Sequence, residues 1–196
     1  MMIRNLEDLF TIIEGWLVSY TKYFEPSADD IVADIGAHIG TFTTAWAPRV
    51  QTVYSFEPQP ETFATLKENI KPFDNVVAYN TAISDYIGEA RMSLNASTIN
   101  DIHCTDESYA IVPVTTLDSI LPRADFLKID VEGEEIKVLR GAKDLLSKYK
   151  PKIAMEVHSE DNLTSAKEIL VGYGYDFRVE PYWQPLRSDL YFLYAW

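Results

Sequence analysis

The chain has 196 residues, 30 Asp and Glu against 17 Lys and Arg, a formal charge of −13 and 47% hydrophobic residues. That length suits one domain over residues 1–196, with a core burying roughly 70% of the unfolded surface and no need of a metal or disulfide staple. Its one cysteine, Cys104, excludes an internal bridge, and the acidic balance argues against nucleic acid or an anionic membrane as partner. No basic region leads into an apolar stretch at the N-terminus and no apolar run approaches 18 residues. The expectation is a soluble, cytoplasmic protein.

Leu6, Leu9, Phe10, Ile13, Trp16, Leu17 and Tyr20 recur at helical spacing and predict an amphipathic first helix within an N-terminal extension, residues 1–26, closed by Pro26. Residues 31–33 read as a strand, and 41–47 as a short helix stopped by Pro48. A strand over 52–56 and a helix over 61–70 follow, then strands over 76–79, 126–129 and 153–157. Helices are expected over 134–148 and 163–171, the second followed by Gly172 and Gly174. Residues 175–179 and 190–194 suit two strands joined through Pro181 and Pro185. The segment 89–117 lacks clear periodicity. Strands alternating with helices define an α/β fold, a mostly parallel sheet with helices on both faces.

In open α/β sheets ligands bind beyond the carboxyl ends of the strands. The residues there are Asp34 with Gly36, Glu57, Asn80, Asp130 and Glu156. A strand buried on both faces has no packing use for an acid at its end. One or two acids fit solvent-exposed strand ends, but this series points to a shared ligand cleft. The loop Asp34-Ile35-Gly36-Ala37-His38-Ile39-Gly40 is a tight strand-to-helix turn without the G-x-G-x-x-G register of dinucleotide sites. An acid before the turn suits a cationic group better than a pyrophosphate. Glu57, ending the next strand before Pro58, is placed to accept hydrogen bonds from ribose hydroxyls. An adenosine with a positively charged amino-acid tail meets both conditions, and that is S-adenosylmethionine.

These segments, with Phe126-Leu127-Lys128-Ile129-Asp130-Val131-Glu132-Gly133, Val138-Leu139-Arg140-Gly141-Ala142 and Met155-Glu156-Val157-His158, resemble the FkbM-type methyltransferases. The resemblance runs from about Asp30 to His158. It implies the Rossmann-like class I methyltransferase fold: seven strands, mostly parallel, with one antiparallel strand inserted by the last hairpin. It also implies S-adenosylmethionine-dependent methyl transfer, usually to the oxygen of a small molecule or sugar. His38 stands where many relatives have Asn. The N-terminal helix and the variable segment 89–112 carry no distinctive motif and are the expected substrate-facing parts.

Cofactor binding is expected from Asp34, Gly36, Ala37, His38 and Gly40 at the methionine end and from Glu57 and Pro58 at the ribose. Asn80, Ala82 and Ile83 are assigned to the adenine, and Asp130 to the cleft centre. A hydroxyl acceptor must also lose a proton, which calls for a base. His158, Asp130 and Glu132 are the candidates, with Glu156 as orienter; a histidine titrates near neutrality. Lys128 reads as a pairing residue for a nearby acid. Asp130, Glu156 and His158 have suitable types for a divalent metal but no compact spacing, so no metal is expected. Lys137, Arg140, Lys143 and Lys148 beside Glu134, Glu135 and Asp144 read as a solvated mixed-charge face. A nicotinamide-dependent oxidoreductase and a non-catalytic cofactor-binding module are the alternatives.

Overall fold

The computed structural model describes residues 15–93, 99–100, 109–181 and 190–196. Helical backbone over residues 15–21 (α1) leads into β1 (Ile31–Ile35), α2 (Thr41–Trp46), β2 (Thr52–Phe56), α3 (Pro60–Asn69) and β3 (Val76–Tyr79). Next come β4 (Ala82–Ile83), β5 (Gly88–Ser93), β6 (Ile99–Asn100), β7 (Tyr109–Thr115), α4 (Leu117–Ile120) and β8 (Phe126–Ile129). The chain closes with α5 (Glu135–Arg140), α6 (Lys143–Lys148), β9 (Lys152–Val157), α7 (Glu160–Gly172), β10 (Phe177–Pro181) and β11 (Tyr191–Ala195). The apolar positions Leu6 to Ile13 of the first helix lie outside the described residues.

Seven strands form one sheet in the order β10-β11-β9-β8-β1-β2-β3. β1 pairs parallel with β2 and β8, and β2–β3 and β8–β9 are also parallel. β11 runs antiparallel to both β9 and β10, so it alone opposes the others. This is the Rossmann-like arrangement with one antiparallel strand that the sequence predicted.

Alternation along the strands divides the core. Val32, Val53, Phe126, Ala154, Phe192 and Tyr194 meet Tyr20 of α1 and Phe42 and Trp46 of α2 on one face. On the other, Ala33, Ile35, Leu127, Ile129, Ile153, Met155 and Val157 pack against Leu139, Leu146 and Leu170 from α5, α6 and α7. Each fully buried Leu, Ile or Phe contributes about 1.5–3 kcal/mol relative to exposure, which explains why a strand as short as β8 is held on both sides. α1 is further tied down where Lys22 and Tyr23 bond Glu180 of β10.

Three expectations change. The helix foreseen over 134–148 is two helices, broken at Gly141, a poor helix former whose missing β-carbon lets it pack directly on the Ser84 carbonyl. Asp118 then restarts the helix by accepting the Asp144 and Leu145 N–H groups, each at 3.0 Å. Residues 89–117 hold most of a second, four-stranded sheet, β4-β7-β5-β6, closed over Ala82, Ala90, Met92, Val112 and Val114. Its alternation was hidden by Pro113 and by the polar stretch within the segment. Finally, Pro48 sits inside a 3-10 turn, Ala47–Arg49, that extends α2 rather than stopping it.

Candidate active site

Parallel register places Asp34 of β1 beside Lys128 of β8, and Lys128 beside Ala154 of β9. These positions share the sheet face covered by α1 and α2, as do Asp130 and Glu156, two residues further along their strands. A polar row thus crosses the carboxyl ends of β1, β8 and β9 beneath aromatic side chains.

Asp34 is fully buried. Thr43 of α2 donates to its Oδ2 at 2.6 Å, and the Lys128 ammonium lies 3.2 Å from its Oδ1. The cation beside Asp34 is therefore the chain's own. Lys128 also donates to the Gly36 carbonyl at 2.7 Å and stands 3.8 Å from Asp130. Burial works against its charge, yet Asp34 and Asp130 outweigh that and hold its pKa above the ordinary lysine value. The expectation that Lys128 pairs with an acid is met.

The loop after β1 is set by backbone geometry. Gly36 has φ 77°, and a β-carbon there would overlap the Asp130 carbonyl. Gly40 has φ 89° and packs over Leu66. His38 takes φ 52°, a left-handed conformation that Asn, Asp and His tolerate better than most residues. The Gly36 and Ala37 N–H groups both donate to the Phe56 carbonyl. Glu57 receives the next one: its Oε2 accepts from the His38 N–H and its Oε1 from the Gln59 N–H, both at 2.9 Å. Burial raises the Glu57 pKa and these two N–H groups oppose the rise. Each oxygen keeps a second lone pair for a ligand. Asn80 steadies the same corner by donating to the carbonyls of Glu57 and Pro58 at 2.8 and 2.9 Å. Ala82 and Ile83 are instead buried in β4, within the cores of the molecule.

The ends of β8 and β9 are different. The Tyr20 hydroxyl, fully buried on α1, lies 2.7 Å from Glu156 Oε1 and 3.0 Å from Asp130 Oδ2. A phenol has one hydrogen for these two contacts, so one carboxyl must hold a proton for both to be strong. Burial, then the charge of Asp130, pushes Glu156 up to about 7, which makes it the natural holder. Burial, followed by the charges of Asp130 and Glu156, raises the Tyr20 hydroxyl well above its usual range. Tyr20 entered the sequence reading only as the last member of an apolar stripe.

His158 follows β9. Its Nδ1 is 2.7 Å from Glu135 Oε1 and its Nε2 is 3.4 Å from Glu132 Oε2. Burial opposes a charge on the ring, but Glu135, Glu132 and Asp130 prevail and raise its pKa above 6.5. Glu135 corrects the mixed-charge reading of its helix, since it is fully buried and faces the site. The signal was legible in principle: Glu135, Val138, Leu139 and Ala142 form one inward helical stripe that carries an acid.

One ligand atom each from Asp130, Glu156 and His158 lie within 4.8 Å of one another, a set of suitable types for a divalent cation. The Tyr20 hydroxyl bridges two of the three and Lys128 brings a positive charge near Asp130. A hydroxyl and an ammonium thus already lie against two of the three groups.

With strand order, loop and acidic strand ends in view, similarity to known proteins decides the family. The Methyltransferase FkbM domain matches residues 34–177. The chain belongs to the FkbM methyltransferase family. Among FkbM and other methyltransferases, it is 28% identical over 142 residues to hexuronic acid methyltransferase AglP of Haloferax volcanii, spanning 69% of this chain and 59% of that protein. The crystal structure of an FkbM methyltransferase from Methylobacillus flagellatus KT superposes with a TM-score of 0.73 at 19% identity, over 92% of this chain and 48% of that one. Aeropyrum pernix fibrillarin, solved with natively bound S-adenosyl-L-methionine, superposes at 0.60 and 15% identity, over 92% of this chain and 74% of that one. The chain therefore spans about half to three-fifths of the first two proteins.

Proposed function

We propose that this FkbM-family chain transfers a methyl group from S-adenosylmethionine to a hydroxyl of a sugar or other small molecule. One observation carries the reading: Glu57, pinned at the end of β2 by two backbone N–H groups, keeps a lone pair on each oxygen where a ribose diol can donate. When bound, S-adenosylmethionine supplies an electrophilic methyl on a positively charged sulfur, which the acidic strand ends suit. Asp34 acts through Lys128 and Thr43, holding the Gly36–Gly40 loop that receives the methionine end. Pro58 and Asn80 fix the corner beside the ribose, and Ala82 and Ile83 support the adenine side from behind. Asp130 marks the cleft centre. His158 receives the acceptor's proton, with Glu132 beside it and Glu156 as orienter.

Orienting acceptor and donor within one cleft supplies most of the acceleration for such a displacement. AglP's name supports a sugar acceptor. The N-terminal extension, which delivers Tyr20, and the segment 89–112 are the parts proposed to face it. The test is transfer of labelled methyl from S-adenosylmethionine to a panel of neutral sugars and hexuronates, with calorimetry using S-adenosylmethionine and NAD. Labelled sugar and binding of S-adenosylmethionine alone are expected. Binding of NAD alone would establish the oxidoreductase alternative, and S-adenosylmethionine binding without transfer to any acceptor the non-catalytic one.

A further inference from the structure

Glu135 lies outside every site motif, yet it is fully buried and two donors and a histidine ring nitrogen converge on its carboxylate. Gly133 N–H donates to Oε1 at 2.7 Å, Asn162 Nδ2 donates to Oε2 at 2.7 Å, and His158 Nδ1 meets Oε1 at 2.7 Å. Asn162 is itself fixed, for its Nδ2 also reaches the Gly133 carbonyl at 2.9 Å and its N–H donates to Ser159 Oγ, the N-cap of α7. The Gly133 and Asn162 groups can only donate, one to each oxygen, which favours the ionised carboxylate, and an anion only accepts. His158 Nδ1 must then carry the hydrogen of that contact. The neutral ring is left with its lone pair on Nε2, on the side of Glu132.

We infer that Glu135 is a positioning residue that sets the His158 tautomer and orientation, making Nε2 the proton acceptor for the methyl-accepting hydroxyl. This rests on the proposed methyl transfer. The hydroxyl gives its proton to Nε2 while its oxygen bonds to the methyl carbon. The methyl–sulfur bond breaks with its electron pair kept on sulfur, and the positive charge lost there reappears on the imidazolium. Glu135 at Nδ1 and Glu132 at Nε2 stabilise that cation. The other charged and titratable groups near the ring are Asp130 and Glu156 at the strand ends, with Tyr20 and Lys128 behind them. Asparagine and backbone contacts to Glu135 keep its geometry fixed without adding charge.

The test is nitrogen NMR of the three histidines across pH, combined with steady-state methyl transfer to the sugar panel. In the wild-type chain, neutral His158 is expected to carry hydrogen on Nδ1; hydrogen on Nε2 would overturn the inference with no variant needed. In Glu135→Gln, His158 should lose its tautomer preference and titrate at lower pH. Its kcat should fall about 100-fold with the KM for S-adenosylmethionine unchanged, and the acidic limb of the pH profile should move down with the ring. Glu135→Asp, which restores the charge one methylene short, should recover part of each effect. An unchanged titration in a folded Glu135→Gln, or a changed tautomer with undiminished kcat, would refute it. Absence of transfer to any sugar alongside the expected NMR result would remove the sugar-methylation reading while leaving the positioning role standing.

Discussion

At the ends of β1 and β2, Asp34 and Glu57 are held by fixed partners: a buried ammonium, a threonine hydroxyl and two backbone N–H groups. At the ends of β8 and β9, Asp130 and Glu156 share a tyrosine with a single proton to give, and His158 stands between Glu135 and Glu132. The first arrangement is fixed by its backbone and buried partners, which suits binding. In the second, Glu156 and His158 are both raised by their surroundings, Glu156 to about 7, which suits moving a proton. One sheet edge thus carries two kinds of acid, distinguished by their neighbours rather than by residue type.

The largest effects should come from breaking the fixed half. Lys128→Met leaves Asp34 buried without its cation and should destabilise the fold by about 3–5 kcal/mol, read by urea denaturation. Gly36→Ala should cost about 2–3 kcal/mol, because the alanine must hold a left-handed φ and its β-carbon overlaps the Asp130 carbonyl. Loss of less than about 1 kcal/mol in either variant would show that the loop is not locked in this way.

The responsive half should show itself through pH. Glu156 rises from 4.5 to about 7 on folding, chiefly by burial. The folded chain therefore keeps a proton that the unfolded chain has already released between those values. Stability fully present below pH 4.5 is lost as pH rises through about 7, on the order of 3 kcal/mol. His158, also raised, adds a loss in the same direction as pH climbs through its folded pKa. Glu156→Gln should flatten the decline of Tm between pH 5 and 8, and an unaltered slope would remove Glu156 from the proton cluster. The smallest expected effect is that of Tyr20→Phe, about 1–2 kcal/mol for the lost hydroxyl, accompanied by altered titration of Glu156.

Strand ends were legible in the sequence because burial on both faces leaves β1, β2, β8 and β9 as apolar runs, and an acid closing such a run stands out. The same logic found Lys128, a charge inside an otherwise apolar strand. Glu135 and Tyr20 were not found, since each sits on a helix whose local composition disguises it. Glu135 is flanked by surface charges on α5, and Tyr20 continues an aromatic stripe whose ring packs while its hydroxyl works. The break at Gly141 escaped for another reason: glycine is required there by close packing on the Ser84 carbonyl, more than fifty positions earlier in the chain and invisible to local pattern. Ala82 and Ile83 were legible by their place after β3, but not their pairing with β7, a strand later in the chain.

The division of the cleft into a binding half and a proton-handling half is tested most directly by calorimetry of S-adenosylmethionine against Glu57→Ala and His158→Gln side by side. Glu57→Ala should weaken binding at least about tenfold, the equivalent of one charge-assisted hydrogen bond, while His158→Gln keeps wild-type affinity and loses methyl transfer. Equal affinity in Glu57→Ala, or a comparable loss in His158→Gln, would contradict the division.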